Sequence, residues 1–142
     1  MNISSVFGFI AVPGNGAYNA AKFAVRGFTE ALAIELRMDR SPVVASSVHP
    51  GGIATSIARS ARVGSKQDVS IDEEERDREF QKAARTSPEA CARQIVAGVK
   101  RDKRRILVGS GARTISAISR LFPNLYQRGL AAVARRRPEG VV

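Results

Sequence analysis

Between Ala17 and Leu36 apolar side chains return every three or four residues. Ala21, Ala24, Val25, Phe28, Leu32 and Leu36 fall on one stripe, the spacing of an amphipathic helix. Ala20, Phe23 and Gly27 form a second, weakly polar stripe. Two such faces predict a sheet on one side of the helix and a partner helix on the other. Upstream, "NISSVFGFI" reads as the end of a strand, and Gly8, Pro13, Gly14 and Gly16 mark a loop. Downstream, "SPVVASSVH" predicts a short buried strand carrying Val43, Val44 and Val48, and "PGGIATS" a turn leaving it.

Residues 56–85 show no clean period and include the charged run "DEEERDREF". They predict an exposed helix or a lid. Ser87 then stands as an N-cap, with Pro88 at the first helical position and Glu89 near the positive dipole end. That helix runs to about Lys100, and "RRILVG" predicts another strand. "ARTISAISRLF" and "NLYQRGLAAVARR" are helical on either side of Pro123. Strands alternating with helices imply an α/β layer architecture with a parallel sheet. Two strands and a strand end are few for such a sheet.

The length of 142 residues fits one domain, and 44% hydrophobic with 25% charged residues is an ordinary globular balance. No apolar run is long enough to span a bilayer, and the N-terminus lacks the basic region of a signal peptide. Cys91 is the single cysteine, so no internal disulfide forms. This suits a cytoplasmic protein, with Cys91 as a core filler. The net charge of +10 is unevenly spread: residues 100–142 hold eleven basic and two acidic side chains. Such a segment can attract anionic lipid or nucleic acid, or simply be a solvated helix face. The expectation here is a docked C-terminal helix with a solvated basic rim, in preference to a membrane-surface helix. No aromatic-interleaved basic motif or recognition helix points to nucleic acid.

Tyr18 and Lys22 stand four residues apart, on one helix face. A phenol is a poor base at neutral pH, and an ammonium one turn away favours its phenolate. Such a pair can pass protons to and from an alcohol or carbonyl oxygen. Ser5, thirteen residues earlier, can donate a hydrogen bond to that same oxygen. Hydride transfer needs a cofactor, because no side chain supplies a hydride. The bland alternative is a packed tyrosine ring beside a snorkelling lysine.

The stretch "NISSVFGFIAVPGNGAYNAAKFAVRGFTEALAIEL" resembles the active-site segment of the short-chain dehydrogenases/reductases. Tyr18-Asn19-Ala20-Ala21-Lys22 matches that family's Tyr-x-x-x-Lys, Ser5 its upstream serine, and "HPGGIATSIA" its Pro-Gly turn. The resemblance covers residues 2–58; residues 59–142 fit the family's lid, helix and last strand loosely. It implies Tyr18 as acid/base, Lys22 as the residue that favours the phenolate and binds the nicotinamide ribose, and Ser5 as the group polarising the substrate oxygen. Pro50, Gly51, Ile53 and Thr55 would border the nicotinamide of NAD or NADP. Phe7, Phe9, the 13–16 loop and the 56–85 lid would face a small alcohol or carbonyl substrate. Apolar residues after Ser5 hint at a hydrophobic one. His49, a lone histidine, is read as structural. The family also suggests a homo-oligomer through the second face of helix 17–38.

The glycine-rich dinucleotide turn, Gly-x-x-x-Gly-x-Gly, occurs nowhere, and neither does the residue choosing between NAD and NADP. The implied fold is thus a partial Rossmann-type, doubly wound parallel sheet lacking its N-terminal dinucleotide-binding half. Residues 1–110 would form the C-terminal half of that domain and 111–142 a basic amphipathic helical extension. Helix and sheet faces left open would cost on the order of 10 kcal/mol, as much as a whole domain's stability. The isolated chain is therefore expected to be marginal or partner-dependent, with little or no turnover. The alternatives are a truncated non-catalytic fragment, or a basic amphipathic module that binds a membrane or a partner.

Overall fold

The computed structural model describes residues 1–55 and 84–136. Three strands, β1 (Asn2–Ile3), β2 (Ser47–Pro50) and β3 (Arg105–Val108), form a parallel sheet in the order β1-β2-β3. Asn2 and Ile3 pair with Ser47 and Val48, and Ser47–Pro50 pair in step with Arg105–Val108. Helix α1 (Gly16–Met38) separates β1 from β2, and α2 (Pro88–Val99) leads into β3. Two more helices follow, α3 (Ala112–Leu121) and α4 (Pro123–Arg136). The parallel α/β architecture is the one the sequence predicts. Most of the expected 56–85 lid lies outside the described residues.

Local chemistry explains the helix ends. Ser87 caps α2: its hydroxyl accepts the Ala90 amide at 3.2 Å, and Pro88 occupies the first turn. Pro123 likewise opens α4, where its missing N–H is no loss. At the end of α1, Arg40 takes a left-handed φ of 53°. The amide of Ser41 then reaches back to Leu36 O at 2.9 Å and that of Arg40 to Arg37 O at 3.1 Å, closing a Schellman turn.

Two features differ from the sequence reading. The strand expected around Val43 and Val44 begins later, at Ser47, and both valines are exposed. Ser46, Ser47 and His49 are buried there beside Val48. Polar side chains can occupy a central strand when hydrogen bonds satisfy them, and Ser47 and His49 have such partners. Second, α1 docks with only the edge of the predicted stripe, where Val25, Leu32 and Leu36 are half-buried. Its buried residues are Asn19, Thr29 and Ala33, while Ala21, Ala24 and Phe28 are exposed. Hydrogen bonds guide the docking: Asn2 Nδ2 donates to Thr29 Oγ1 at 3.0 Å, Asn19 Nδ2 to Val12 O at 2.9 Å, and Ser4 Oγ to Lys22 O at 2.8 Å. The second face, Ala20, Phe23 and Gly27, is also exposed among the described residues, with no partner helix on it.

The apolar core lies between the sheet and α2. Val48, Cys91, Ile106 and Val108 are buried together, with Ile53 and Ile95 packed against them. Cys91 is a free thiol in this cluster, as expected of a core filler, and burial pushes its pKa up.

Candidate active site

In a parallel sheet, ligands bind beyond the carboxyl ends of the strands. Ser5 follows β1, and Pro50 closes β2. After Ser5 the chain makes one 3₁₀ turn, Val6–Gly8, and the Ser5 hydroxyl caps it by accepting the Phe7 amide at 3.1 Å. This fixes the hydroxyl oxygen of a buried serine and leaves its O–H free to donate. The Ser5 carbonyl is held as well: it accepts the Gly8 amide at 3.0 Å and lies 3.0 Å from His49 Nδ1.

Tyr18 sits in the first turn of α1 with 42% of its surface exposed. The Phe7 ring meets it edge-on, with centroids 6.0 Å apart, so the Ser5 turn and the start of α1 adjoin. Lys22, one helical turn on, places Nζ 5.4 Å from the Tyr18 ring centre and 3.3 Å from Ile3 O, the carbonyl ending β1. The structure therefore gathers the Ser5 turn, Tyr18 and Lys22 at one end of the sheet.

The Pro50 turn lies at the neighbouring strand ends. Gly51 N donates to Val108 O at 2.9 Å, and a Cβ at Gly51 would stand 2.7 Å from Ser110 O. Only glycine lets this turn lie so close to the end of β3. Ile53 bridges to Thr86, and the Ala54 amide donates to Thr86 O at 2.9 Å. Pro50, Gly51, Ile53 and Thr55 are all half-buried. Thr86, which the sequence reading passed over, joins two loops: its carbonyl takes Ala54 and its hydroxyl accepts the Ser110 amide at 3.4 Å. A threonine beside the charged run carries no pattern that would have singled it out.

Phe9 was expected to face substrate, and the structure corrects this. It is buried and stacks on the His49 ring at 4.1 Å between centroids. The guanidiniums of Arg26 and Arg105 cover it at 4.8 and 5.3 Å. Both arginines pair with Glu30 Oε1, at 3.0 and 2.6 Å, which ties α1 to β3. Burial alone would raise the Glu30 pKa, but hydrogen bonds from Arg26 and Arg105 outweigh it and hold the carboxyl below its ordinary range.

His49 is fully buried. Desolvation lowers its pKa, the Ser5 carbonyl opposes this, and the nearby Arg105 and Arg26 charges lower it further. The ring is therefore neutral near pH 7. The Ser5 carbonyl can only accept, so Nδ1 carries the proton. Nε2 then accepts from the Ser47 hydroxyl, 3.0 Å away. His49 is structural, as read from sequence, and the carbonyl that it holds belongs to the candidate serine.

The sequence model of the short chain dehydrogenase family matches residues 1–66. SadH of Mycobacterium tuberculosis, named as an oxidoreductase, is 49% identical over 132 residues, covering 93% of this chain and 47% of that relative. Cyclopentanol dehydrogenase of Comamonas is 46% identical over 59 residues, 42% of this chain and 23% of that enzyme. Among solved structures, a short chain dehydrogenase/reductase from Burkholderia phymatum in complex with NAD superposes with a TM-score of 0.68 at 25% identity. It covers 89% of this chain and 47% of that one. The chain is thus similar to short-chain dehydrogenases/reductases in residues 1–66 by the family's sequence model and over most of its length in fold. It spans about half the length of SadH.

Proposed function

We propose that this chain carries the proton-transfer part of an oxidoreductase site that interconverts an alcohol and a ketone or aldehyde with NAD or NADP. The observation that carries the reading is the placement of Lys22 against an exposed Tyr18 beside the Ser5 turn. In the oxidising direction the Tyr18 phenolate takes the alcohol proton. Lys22 stabilises the phenolate by its charge. The Ser5 hydroxyl donates to the substrate oxygen, with its own oxygen held by the Phe7 amide. In the reducing direction Tyr18 returns the proton to the carbonyl oxygen. Phe7 is the apolar side chain that borders this point, and a relative named for cyclopentanol supports a small secondary alcohol as substrate.

The residues present fit one end of a nicotinamide dinucleotide. Lys22 has donors left for a ribose, and the half-exposed 51–55 turn offers backbone groups to a carboxamide. When bound, the nicotinamide supplies or accepts the hydride. The pyrophosphate would need the Gly-x-x-x-Gly-x-Gly turn at a helix N-terminus, a pattern that this sequence does not contain. The 142-residue chain by itself therefore binds the dinucleotide weakly and turns over little or not at all.

Titration of the isotopically labelled chain with NADH or NADPH, followed by amide NMR, tests both parts. Millimolar binding with shifts centred on Ser5, Tyr18, Lys22 and residues 51–55 is expected, weakened by Lys22→Ala. Shifts centred elsewhere would refute the site. Micromolar affinity would refute the weak binding.

A further inference from the structure

Helix α3 enters the body through its first turn: Ala112 is fully buried and Ile115 half-buried. Beyond that several large apolar residues of the two C-terminal helices face outward, while Tyr126 and Leu130 are half-buried. Ile118, Leu121, Phe122, Leu125 and Val133 are 41, 67, 52, 61 and 51% exposed. The docking that the sequence predicts is seen in the first turn of α3, and the basic rim is exposed as expected. Leu121, Phe122 and Leu125 flank Pro123, so they cluster where α3 ends and α4 begins. Arg113, Arg120, Arg128 and Arg135 are exposed on the same two helices. No acidic residue occurs between Asp102 and Glu139.

We infer that α3 and α4 form a docking surface for an anionic lipid bilayer, lying in its interface with the Leu121–Phe122–Leu125 corner inserted. Exposed leucine and phenylalanine beside arginines that form no ion pair among the described residues complement a surface that is apolar inside and negative outside. No described helix is long and apolar enough to cross a membrane, so the contact is interfacial. A second copy of the chain would set this basic surface against itself, which like charges oppose. A nucleic acid would engage the arginines but leave the apolar corner wet. The inference is independent of the proton-transfer site, from which it uses no residue.

Vesicle flotation of the full 142-residue chain tests it, because lipid-bound protein rises while aggregated protein sinks. The probes are phosphatidylcholine vesicles with and without about 30% phosphatidylglycerol. Flotation with the anionic vesicles only, lost in high salt, is expected. Each basic side chain near such a surface contributes about fivefold in binding, so Arg120→Gln with Arg128→Gln should lower the partition coefficient by at least about tenfold. Leu121→Ser with Phe122→Ser should abolish flotation while the far-UV spectrum stays that of the parent. Equal flotation with both vesicle types would overturn the inference. So would recovery at the bottom with every lipid, or a salt-insensitive dimer that Phe122→Ser dissociates.

Discussion

His49 Nδ1 lies 3.0 Å from the carbonyl oxygen of Ser5, across 44 residues of sequence. The contact joins the end of β2 to the turn leaving β1 and holds the backbone of the serine proposed to meet the substrate. The ring that makes it is uncharged, because burial and two arginines disfavour the imidazolium.

A pH dependence of stability follows. His49 has a lower pKa folded than unfolded, so between those values the unfolded chain binds more protons and acid favours unfolding. The full stability is present above the unfolded value of about 6.5 and falls as pH drops below it, levelling off under the folded value. Glu30 acts in a separate, lower window: its folded pKa is depressed, so its contribution is present above the ordinary carboxylate range and is lost as pH falls through the folded value. Urea midpoints measured at stepped pH should show the first decline near pH 6 (about the histidine range), and His49→Gln should remove that step alone. A step that persists in the variant would assign it to another group.

Arg40→Gly should stabilise the chain. Arg40 sits at φ 53° in the Schellman turn after α1, a conformation costing a residue with a Cβ about 1–2 kcal/mol. Glycine avoids that cost but has more freedom to lose from the unfolded chain, about 0.5–1 kcal/mol. The difference leaves a gain of about 0.5–1 kcal/mol, readable as a higher urea midpoint with unchanged slope. A lower midpoint would mean that the arginine side chain contributes more than its strain costs.

These relationships were unequally legible in the sequence. The Tyr18–Lys22 pairing was open to reading because a helix brings positions four apart together whatever surrounds it. The cap of α2 was legible for the same reason, since Ser87 and Pro88 act on their own neighbours. The start of β2 was not. Ser46 just before it and its own Ser47 and His49 are buried, and a search for apolar runs finds Val43 and Val44 instead. Whether a buried polar residue is tolerable depends on partners far along the chain, here Ser5 and Arg104. The buried polar part of α1's docking face failed to show for a like reason: Asn19 and Thr29 are turned inward by Val12 and Asn2. The placement of Phe9 depends on a stack with His49, forty residues away in sequence, which no local pattern contains.

Gly98→Ala should destabilise the chain even though alanine is the better helix former. Gly98 is buried in α2, and a Cβ there would meet three atoms of the Ile106 side chain at 2.8–2.9 Å. Ile106 is itself buried in the core cluster, and its branched side chain has little room to turn aside. Helix propensity would favour alanine by about 1 kcal/mol. Overpacking a core costs about 1–3 kcal/mol, so a net loss of up to about 2 kcal/mol is expected in chemical denaturation. Ile106→Val removes only Cδ1 and leaves two of the three clashing atoms, so it should rescue the variant in part. Full rescue would locate the strain at Cδ1 alone.

Ser47→Ala probes the tautomer of His49. The Ser5 carbonyl cannot donate, so Nδ1–H must, and Nε2 is left as an acceptor facing the Ser47 hydroxyl at 3.0 Å. Both side chains are buried. Alanine therefore strands a buried ring nitrogen, at a cost of about 1–3 kcal/mol. The alternative tautomer would put a proton on Nε2 and confront the Ser5 carbonyl with a lone pair, so the ring cannot escape the loss by shifting its proton. Nitrogen NMR of labelled histidine should show a protonated Nδ1 in both the parent and Ser47→Ala, with the variant less stable. In His49→Phe the acceptor is absent, so Ser47→Ala should cost far less there. An equal cost in both backgrounds would mean that the hydroxyl acts through Arg104 O, its other neighbour at 3.3 Å, and not through the ring that braces Ser5.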